Sequence, residues 1–167
     1  MPSSIKISTS FSKRQLDLEC LETMDKPYDT FIELETSATF DVPRVVSGPQ
    51  KLAQRYVVLF TTIIGSDRLR SDFGTTLLRV VETGNVNSEA ELKLMASVAN
   101  SMTMNAIRAD DADADYGPQP DDEKLLRSYI DDVVVDRETR DVRIYVSLIT
   151  VAGEDITFIV PTKAGIY

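Results

Sequence analysis

The spacing of apolar side chains predicts extended structure over residues 1–45. Residues 4–8 and 30–42 are rich in Thr, Ile, Val and Phe. Apolar and polar side chains alternate along 30–35, as they do on a half-buried strand. The segment 13–26 fits two patterns, because its apolar residues are spaced four apart as on a helix and also two apart as on a strand. The sequence therefore does not decide whether this segment is a helix or a strand.

The next apolar stripe predicts a helix over about 50–64. Pro49 suits the first helical turn, and Gly65 suits the left-handed position that follows the last turn. One broad face of this helix is apolar, so we expect that face to be buried in the core. The residues on it are Leu52, Tyr56, Leu59, Phe60, Ile63 and Ile64.

Further helices are predicted in the middle of the chain. The stretch GTTLLRVVETG predicts a short helix that ends at Gly84. Ser88 and Glu91 then form a capping-box pattern that begins a longer helix. After an acidic segment, residues 121–130 are predicted as another short helix, whose first acids suit the helix dipole. The apolar face predicted for the longer helix consists of Leu92, Met95, Val98, Ala99, Met102 and Ala106.

The C-terminal part of the chain has the pattern of an antiparallel meander. Apolar residues at 142, 144, 146 and 148 alternate with polar neighbours, and turns are predicted at RETR and AGED. The chain is then ordered as strands, helices and a final meander. This order predicts an α+β fold, in which three helices pack on one face of a small, mainly antiparallel sheet that ends in a C-terminal β-meander.

Composition and charge exclude several classes of function. The 167-residue chain has a formal net charge of −9, which argues against binding to the phosphate backbone of nucleic acids. It contains no histidine, so histidine-dependent triads and zinc sites built from Cys and His are excluded. Cys20 is the only cysteine, so no disulfide forms within the chain and a reducing compartment is expected. No apolar run reaches the roughly 18 residues of a membrane span.

Acidic residues offer the remaining candidate chemistry. Residues 110–123 contain seven acids and no base. Within them, Asp111, Asp113 and Asp115 resemble the start of a calcium loop, but Tyr116 stands where the sharp turn needs glycine. A solvated acidic linker is the simpler interpretation. A carboxylate pair can support glycoside hydrolysis, but nothing selects one pair among 27 acidic residues, so we expect no enzyme activity, no cofactor and no metal site.

The C-terminal strands also indicate a way to bind protein. The terminal strand of a sheet has unpaired N–H and C=O groups along one side. Another chain can add a strand there, and this mode of binding needs no catalytic residue. Whether the domain covers its own sheet edge stays open at the level of sequence.

Residues 42–82 contain a pattern with several fixed points. It consists of a helix that carries a glutamine, a Thr-x-x-Gly turn, a Phe-Gly corner and leucines after the corner. This pattern resembles the baseplate wedge and sheath-initiator family of contractile tails, found in contractile-tailed phages and, in related form, in type VI secretion baseplates. The order of the later elements is similar through about residue 160. The matching residues are Gln54, Thr62, Gly65, Phe73, Gly74, Leu77 and Leu78.

The resemblance implies a structural role in a symmetric assembly. It divides the chain into an N-terminal extended segment or arm, 1–40, and a wedge domain, 41–167. The implied protein is present in multiple copies and binds other wedge proteins, tail tube proteins and the sheath protein. It binds no nucleic acid and no membrane. The implied location is the baseplate of the virion tail, with assembly in the host cytoplasm.

The resemblance also implies that the sheath begins on the C-terminal hairpin by strand addition. We expect a chain that lacks 154–167 to fold without seeding sheath. The residues predicted at this partner interface are Val142, Ile144, Val146, Leu148, Ile156, Phe158 and Val160.

One family motif is missing, and one other function remains open. The family carries Glu-Pro-Arg between the third helix and the sheet, where it is linked to docking on the wedge core. The corresponding region is predicted here to be 129–133, without Pro or Arg, so docking is assigned to Tyr129, Asp131 and Asp132. The alternative function is that of a regulatory anti-adaptor, because a similar fold is associated with bacterial anti-adaptors that block a protein-degradation adaptor.

Overall fold

The fold is taken from a computed structural model of the chain. The residues that it describes are 17–18, 23–26, 29–32, 45–83, 88–112, 119–136, 138–139 and 141–163. Several predictions lie wholly or partly outside these residues: the extended segment 4–8, residues 33–42 of the extended segment 30–42, the helix end at Gly84 and the calcium-like pattern beyond Asp111.

Three helices and seven strands make up the described part of the chain. The helices are α1 (Pro49–Thr61), α2 (Leu77–Glu82) and α3 (Glu89–Ala112). The strands are β1 (Asp17–Leu18), β2 (Thr23–Lys26), β3 (Asp29–Ile32), β4 (Val45–Val46), β5 (Leu125–Val135), β6 (Asp141–Thr150) and β7 (Asp155–Lys163).

The main sheet is antiparallel and has the strand order β5-β6-β7. Helix α3 packs along β5, while α1 and α2 approach β7. The predicted α+β fold with a C-terminal meander is therefore confirmed. Two small pairs precede it, since β1 pairs with β4 and β2 forms a hairpin with β3. In the segment left open between helix and strand, the described residues form the strands β1 and β2.

The predicted helix over 121–130 is wrong. The chain turns at 121–123 and then enters β5. The buried residues Leu125 and Ser128 are three positions apart, because the register shift between Leu125 and Arg127 interrupts the alternation of the strand. A helix this short is marginal alone, whereas pairing with β6 satisfies the backbone along the whole strand.

Helix α1 is buried over most of its surface. Leu52, Tyr56, Leu59 and Phe60 are in the core as predicted, but Ile63 and Ile64 lie beyond the end of the helix and are half-buried. Gly65 has a positive φ of 82°, yet it lies past the helix end, so its predicted capping role is wrong. At the end of the helix, the backbone N–H and the hydroxyl of Thr62 both donate to Val58 O, and the hydroxyl of Thr75 donates to Phe60 O at 2.8 Å.

Helix α3 begins as predicted, with the backbone N–H of Glu91 donating to Ser88 Oγ at 3.1 Å. The predicted apolar face is only partly correct, because Leu92 and Ala99 are buried but Val98 is 53% exposed. The predicted positions follow helical spacing, but their face is rotated to one side of the buried one, so that Met95, Met102 and Ala106 are only half-buried. The buried stripe that follows this period is Leu92, Ala96, Ala99, Thr103 and Ile107.

Candidate functional site

The residues predicted to contact a sheath partner form the inner face of the main sheet. Their exposed fractions lie between 0% and 9%, and all of them belong to the hydrophobic core. A partner cannot reach these side chains in the folded domain, so we correct the prediction for them. What a partner can reach is the backbone at the edges of the sheet. The corrected residues are Val142, Ile144, Val146, Leu148, Ile156, Phe158 and Val160.

The backbone of β7 points alternately toward β6 and away from it. At the β6–β7 turn, the N–H of Thr150 donates to the carbonyl of Glu154 at 2.9 Å, so these two residues form a hydrogen-bonded pair. Bonded and non-bonded pairs alternate along an antiparallel ladder, so the even-numbered residues 156–162 bond to β6. The odd-numbered residues 157–161 direct their N–H and C=O groups outward. Pro161 agrees with this direction, because proline has no N–H and occurs in edge strands.

The opposite edge of the sheet, on β5, is covered by α3. Three side chains of α3 donate hydrogen bonds to β5 carbonyls: Lys93 Nζ to Asp131 O (2.7 Å), Asn100 Nδ2 to Ser128 O (3.2 Å) and Arg108 Nη2 to Leu126 O (2.6 Å). The helix and the strand therefore run in opposite directions along this edge. Because these carbonyls already have donors, the β5 edge is closed to strand addition.

The edge of β7 differs from the edge of β5. Strand β3 approaches β7, and Cα atoms of the two strands come within 8 Å of each other. The two strands nevertheless belong to different sheets. In the described part of the chain, no strand is paired with the outward side of β7. This edge is the candidate functional site.

The residues assigned to wedge docking lie within β5 rather than between α3 and the sheet. Tyr129 is 43% exposed, and Asp131 and Asp132 are exposed at a register shift of the strand. Asp131 Oδ2 accepts a hydrogen bond from Ser147 Oγ at 2.5 Å, and Asp132 lies 3.7 Å from Lys93 Nζ. The connection between α3 and β5 spans 113–124, so the prediction that 129–133 occupies it is wrong.

The described end of that connection carries a buried acid that the sequence did not single out. Glu123 is 1% exposed. Its Oε1 accepts the backbone N–H of Gly48 at 2.9 Å, and its Oε2 accepts Lys51 Nζ at 2.9 Å. Gly48 is the N-cap residue of α1, so the carboxylate lies at the positive end of the helix dipole. The start of β5 is thereby fixed to the start of α1.

The Phe-Gly corner connects the end of α1 to the start of α2. The N–H of Thr75 donates to Thr62 O at 2.7 Å, and the N–H of Ile64 donates to Thr75 O at 2.9 Å. Gly74, the residue before Thr75, has a φ of 101°, and a Cβ at this position would lie 2.4 Å from Thr62 O. Phe73 is partly buried against the core. These contacts are those of an architectural turn, which is the role that the sequence analysis predicts for the corner. Gln54, within α1, and Leu77, at the start of α2, are buried at 5% and 3% exposure.

A charge network fixes the loop before this corner to the C-terminal end of α3. Arg55 pairs with Asp111 at 2.9 Å, and Arg70 pairs with Asp110 at 2.9 Å. The guanidinium of Arg70 also lies 4.7 Å from the centre of the Phe73 ring. Asp111, which was the first residue of the calcium-like pattern, is therefore engaged by an arginine. These pairs are half-exposed at most and orient the loop rather than form a binding site.

A buried polar chain joins α1, α3 and β5. Tyr56 Oη donates to Asn100 Oδ1 at 2.5 Å, and Asn100 Nδ2 donates to Ser128 O. Burial raises the pKa of Tyr56 far above its ordinary value. At the surface, the carboxylate of Asp136 accepts the backbone N–H groups of Glu138 and Thr139, and these bonds lower the pKa of Asp136.

Neither a metal site nor a membrane span is found in the described ranges. Those ranges contain no group of three or more Cys, Asp or Glu residues placed to hold a metal ion. No helix among the described residues is both long enough and apolar enough to cross a membrane. Comparisons of the chain with protein-family models, curated proteins and solved structures find no match.

Proposed function

We propose that this chain is a structural component of a contractile-tail baseplate, as part of the wedge around the tail tube. In this proposal the sheath begins when a strand of the first sheath subunit joins β7. The observation that carries the proposal is the difference between the two sheet edges: β5 is covered by α3, whereas no strand of the described ranges pairs with the outward side of β7. The resemblance of residues 42–82 supplies the class of partner.

The proposed contact is made mainly by the backbone. Thr157 and Ile159 direct N–H groups outward, and Pro161 offers only its carbonyl. Each hydrogen bond contributes about 0.5–1.5 kcal/mol net, so a short added strand binds weakly by itself. Several copies around the tail tube strengthen the binding, because each further strand then joins at a high effective concentration.

The remaining parts of the proposal follow from the same role. The protein is not an enzyme and uses no cofactor. Its partners are wedge, tube and sheath proteins, and it is located in the tail baseplate after assembly in the host cytoplasm. The exposed Tyr129 and its acidic neighbours are the proposed contact with the wedge core.

Thr157→Pro tests strand addition at β7. Thr157 is exposed, and the change removes one outward N–H while the ladder to β6 is kept. We expect the variant to melt close to Thr157→Ala, because both lose the 3.1 Å hydrogen bond between Thr157 Oγ1 and Ser147 Oγ, but to lose sheath nucleation on baseplates assembled with the sheath and wedge proteins of the same system. Thr157→Ala is the matched control, since it keeps the N–H. Normal sheath nucleation by Thr157→Pro contradicts the proposal.

Deleting 154–167 is not a valid form of this test, contrary to the prediction from the sequence. The deletion removes Ile156, Phe158 and Val160 from the hydrophobic core. Each large apolar side chain lost from a core costs about 2–5 kcal/mol. The truncated chain is therefore expected to unfold, and a failure to seed sheath would say nothing about the edge.

Affinity purification from the native lysate decides between the proposal and the anti-adaptor alternative. The structural role predicts recovery of wedge, tube and sheath proteins in a fixed ratio, as measured by mass spectrometry. A regulator predicts one soluble partner in a one-to-one complex. Recovery of that single partner alone contradicts the baseplate role.

A further inference from the structure

The N-terminal hairpin β2–β3 lies next to the edge that the proposed function uses. Cα atoms of β3 and β7 come within 8 Å of each other. Sheets stacked face to face are separated by about 10 Å, whereas neighbouring strands in one sheet are about 5 Å apart. A separation below 8 Å is met by both arrangements, so the position of β3 follows from what surrounds β7. Strand β6 lies on one side of β7, α1 and α2 lie against it from the core, and Thr157 on the outer face is exposed, so β3 lies on the outward side.

We propose that the β2–β3 hairpin is a removable cover of the β7 edge. It blocks strand addition in the free protein and leaves when a partner strand arrives. The inference rests on the proposed function for the identity of the incoming strand, whereas the position of the cover is a property of the isolated chain.

The two edges are covered in different ways, and this difference makes one cover removable. Three side-chain hydrogen bonds fix α3 to β5. Strand β3 is paired with β2 over four residues, Asp29–Ile32 against Thr23–Lys26, and has no described ladder to β7. The hairpin can therefore leave β7 as a unit without breaking its own ladder or the one between β6 and β7.

An incoming strand has an advantage over the hairpin. A partner strand in register with β7 forms the ladder that β3 does not form, and so satisfies the outward N–H groups of Thr157 and Ile159. An isolated two-stranded hairpin is at best marginally stable in water, so β2–β3 is itself held by its place beside β7. Premature addition of wrong strands is suppressed, since a bare edge is a template for aggregation.

Disulfide trapping in the full-length chain tests the position of the cover. In a Cys20→Ser background, a cysteine at Thr30 or Ile32 is combined with one at Thr157 or Ile159. Disulfides form when Cα atoms are about 4.4–6.8 Å apart, so at least one combination is expected to crosslink much faster than the control, Thr30→Cys with Ser101→Cys on the exposed face of α3. If no combination exceeds the control, the hairpin does not lie at the edge and the proposal is wrong.

Amide exchange followed by NMR tests whether the hairpin protects the edge. Phe31→Pro disrupts the middle of β3, and we expect the amides of Thr157 and Ile159 to exchange at least about tenfold faster than in the wild type. The amides of Phe158 and Val160, which bond to β6, serve as internal controls. Unchanged exchange at Thr157 and Ile159 overturns the protective role.

The trapped pair also separates this proposal from the proposed function. With the hairpin locked by the disulfide, sheath nucleation is expected to be lost, and reduction is expected to restore it. Equal nucleation in both states overturns the cover. If trapping and exchange behave as expected but Thr157→Pro leaves nucleation unchanged, the cover stands and strand addition by sheath is the idea that fails.

Discussion

Replacing Gly74 with alanine tests the close approach at the Phe-Gly corner. A Cβ at this position would lie 2.4 Å from Thr62 O and 2.9 Å from Thr62 C, at a φ of 101°. The same carbonyl accepts the N–H of Thr75 at 2.7 Å, so a backbone shift that relieves the overlap also weakens this bond. Gly65→Ala is the matched control, because Gly65 also has a positive φ, 82°, but a Cβ there meets nothing within 4 Å.

The expected magnitudes separate the two variants. A left-handed conformation costs an ordinary residue about 1–2 kcal/mol, and this is the whole expected cost of Gly65→Ala. Gly74→Ala adds about 1–3 kcal/mol for the forced shift and about 1 kcal/mol for the weakened hydrogen bond. We therefore expect a loss of about 3–6 kcal/mol for Gly74→Ala.

Urea unfolding followed by circular dichroism measures both losses, with thermal melting as a second readout. In a domain of this size, 1 kcal/mol lowers the melting temperature by about 2–4 °C. The m-values should match the wild type, which shows that the variants differ in stability rather than in compactness. Equal losses for the two variants would mean that the contact with Thr62 O has no energetic weight and that this account of the corner is wrong.

Three further predictions concern buried and titrating groups. Glu123→Gln removes the charge that pairs with the buried Lys51, so urea unfolding should show a loss of about 3 kcal/mol; a loss within error of zero would contradict this. Tyr56→Phe removes the hydrogen bond to Asn100 and should cost about 1–2 kcal/mol. Because burial raises the pKa of Tyr56, the neutral phenol stabilises the fold below about pH 10, and this stabilisation is lost as the pH rises toward the raised value. Ultraviolet absorbance should then show one tyrosine that ionises only on unfolding. Hydrogen bonds from the backbone lower the pKa of Asp136, and the stabilisation that results is present above the ordinary carboxyl pKa and is lost as the pH falls through the lowered value. Asp136→Asn should therefore flatten the acid limb of a profile of stability against pH. Titration of the Asp136 carboxyl carbon at the ordinary pKa would refute the cause given.

The predictable elements were those with a sustained period. Helix α1 and strand β6 have long runs of apolar residues at one spacing, and their type followed directly. Strand β5 was missed because its ladder has register shifts between Leu125 and Arg127 and between Ile130 and Asp132. Each shift breaks the alternation that identifies a strand, and the short stretches between them look helical.

The candidate site was less accessible from the sequence, since it depends on contacts between distant segments. Alternation along β6 and β7 indicated that an edge exists, but it could not show which edge α3 covers. A signal was present in α3, where Lys93, Asn100 and Arg108 recur at spacings of seven and eight and so lie along one side of the helix. Glu123 was counted with a solvated acidic segment, because its partner Lys51 lies 72 positions away along the chain and nothing in the sequence links the two.

The covering of β5 by α3 has a consequence for the geometry of growth. A sheet that is closed on one side by its own helix can be lengthened in one direction only. Under the proposed function, each such domain accepts a single strand and cannot transmit pairing through to its opposite side. A row of strand-linked subunits would then start from such a domain but never pass through it, and a ring of these domains would fix the number of rows.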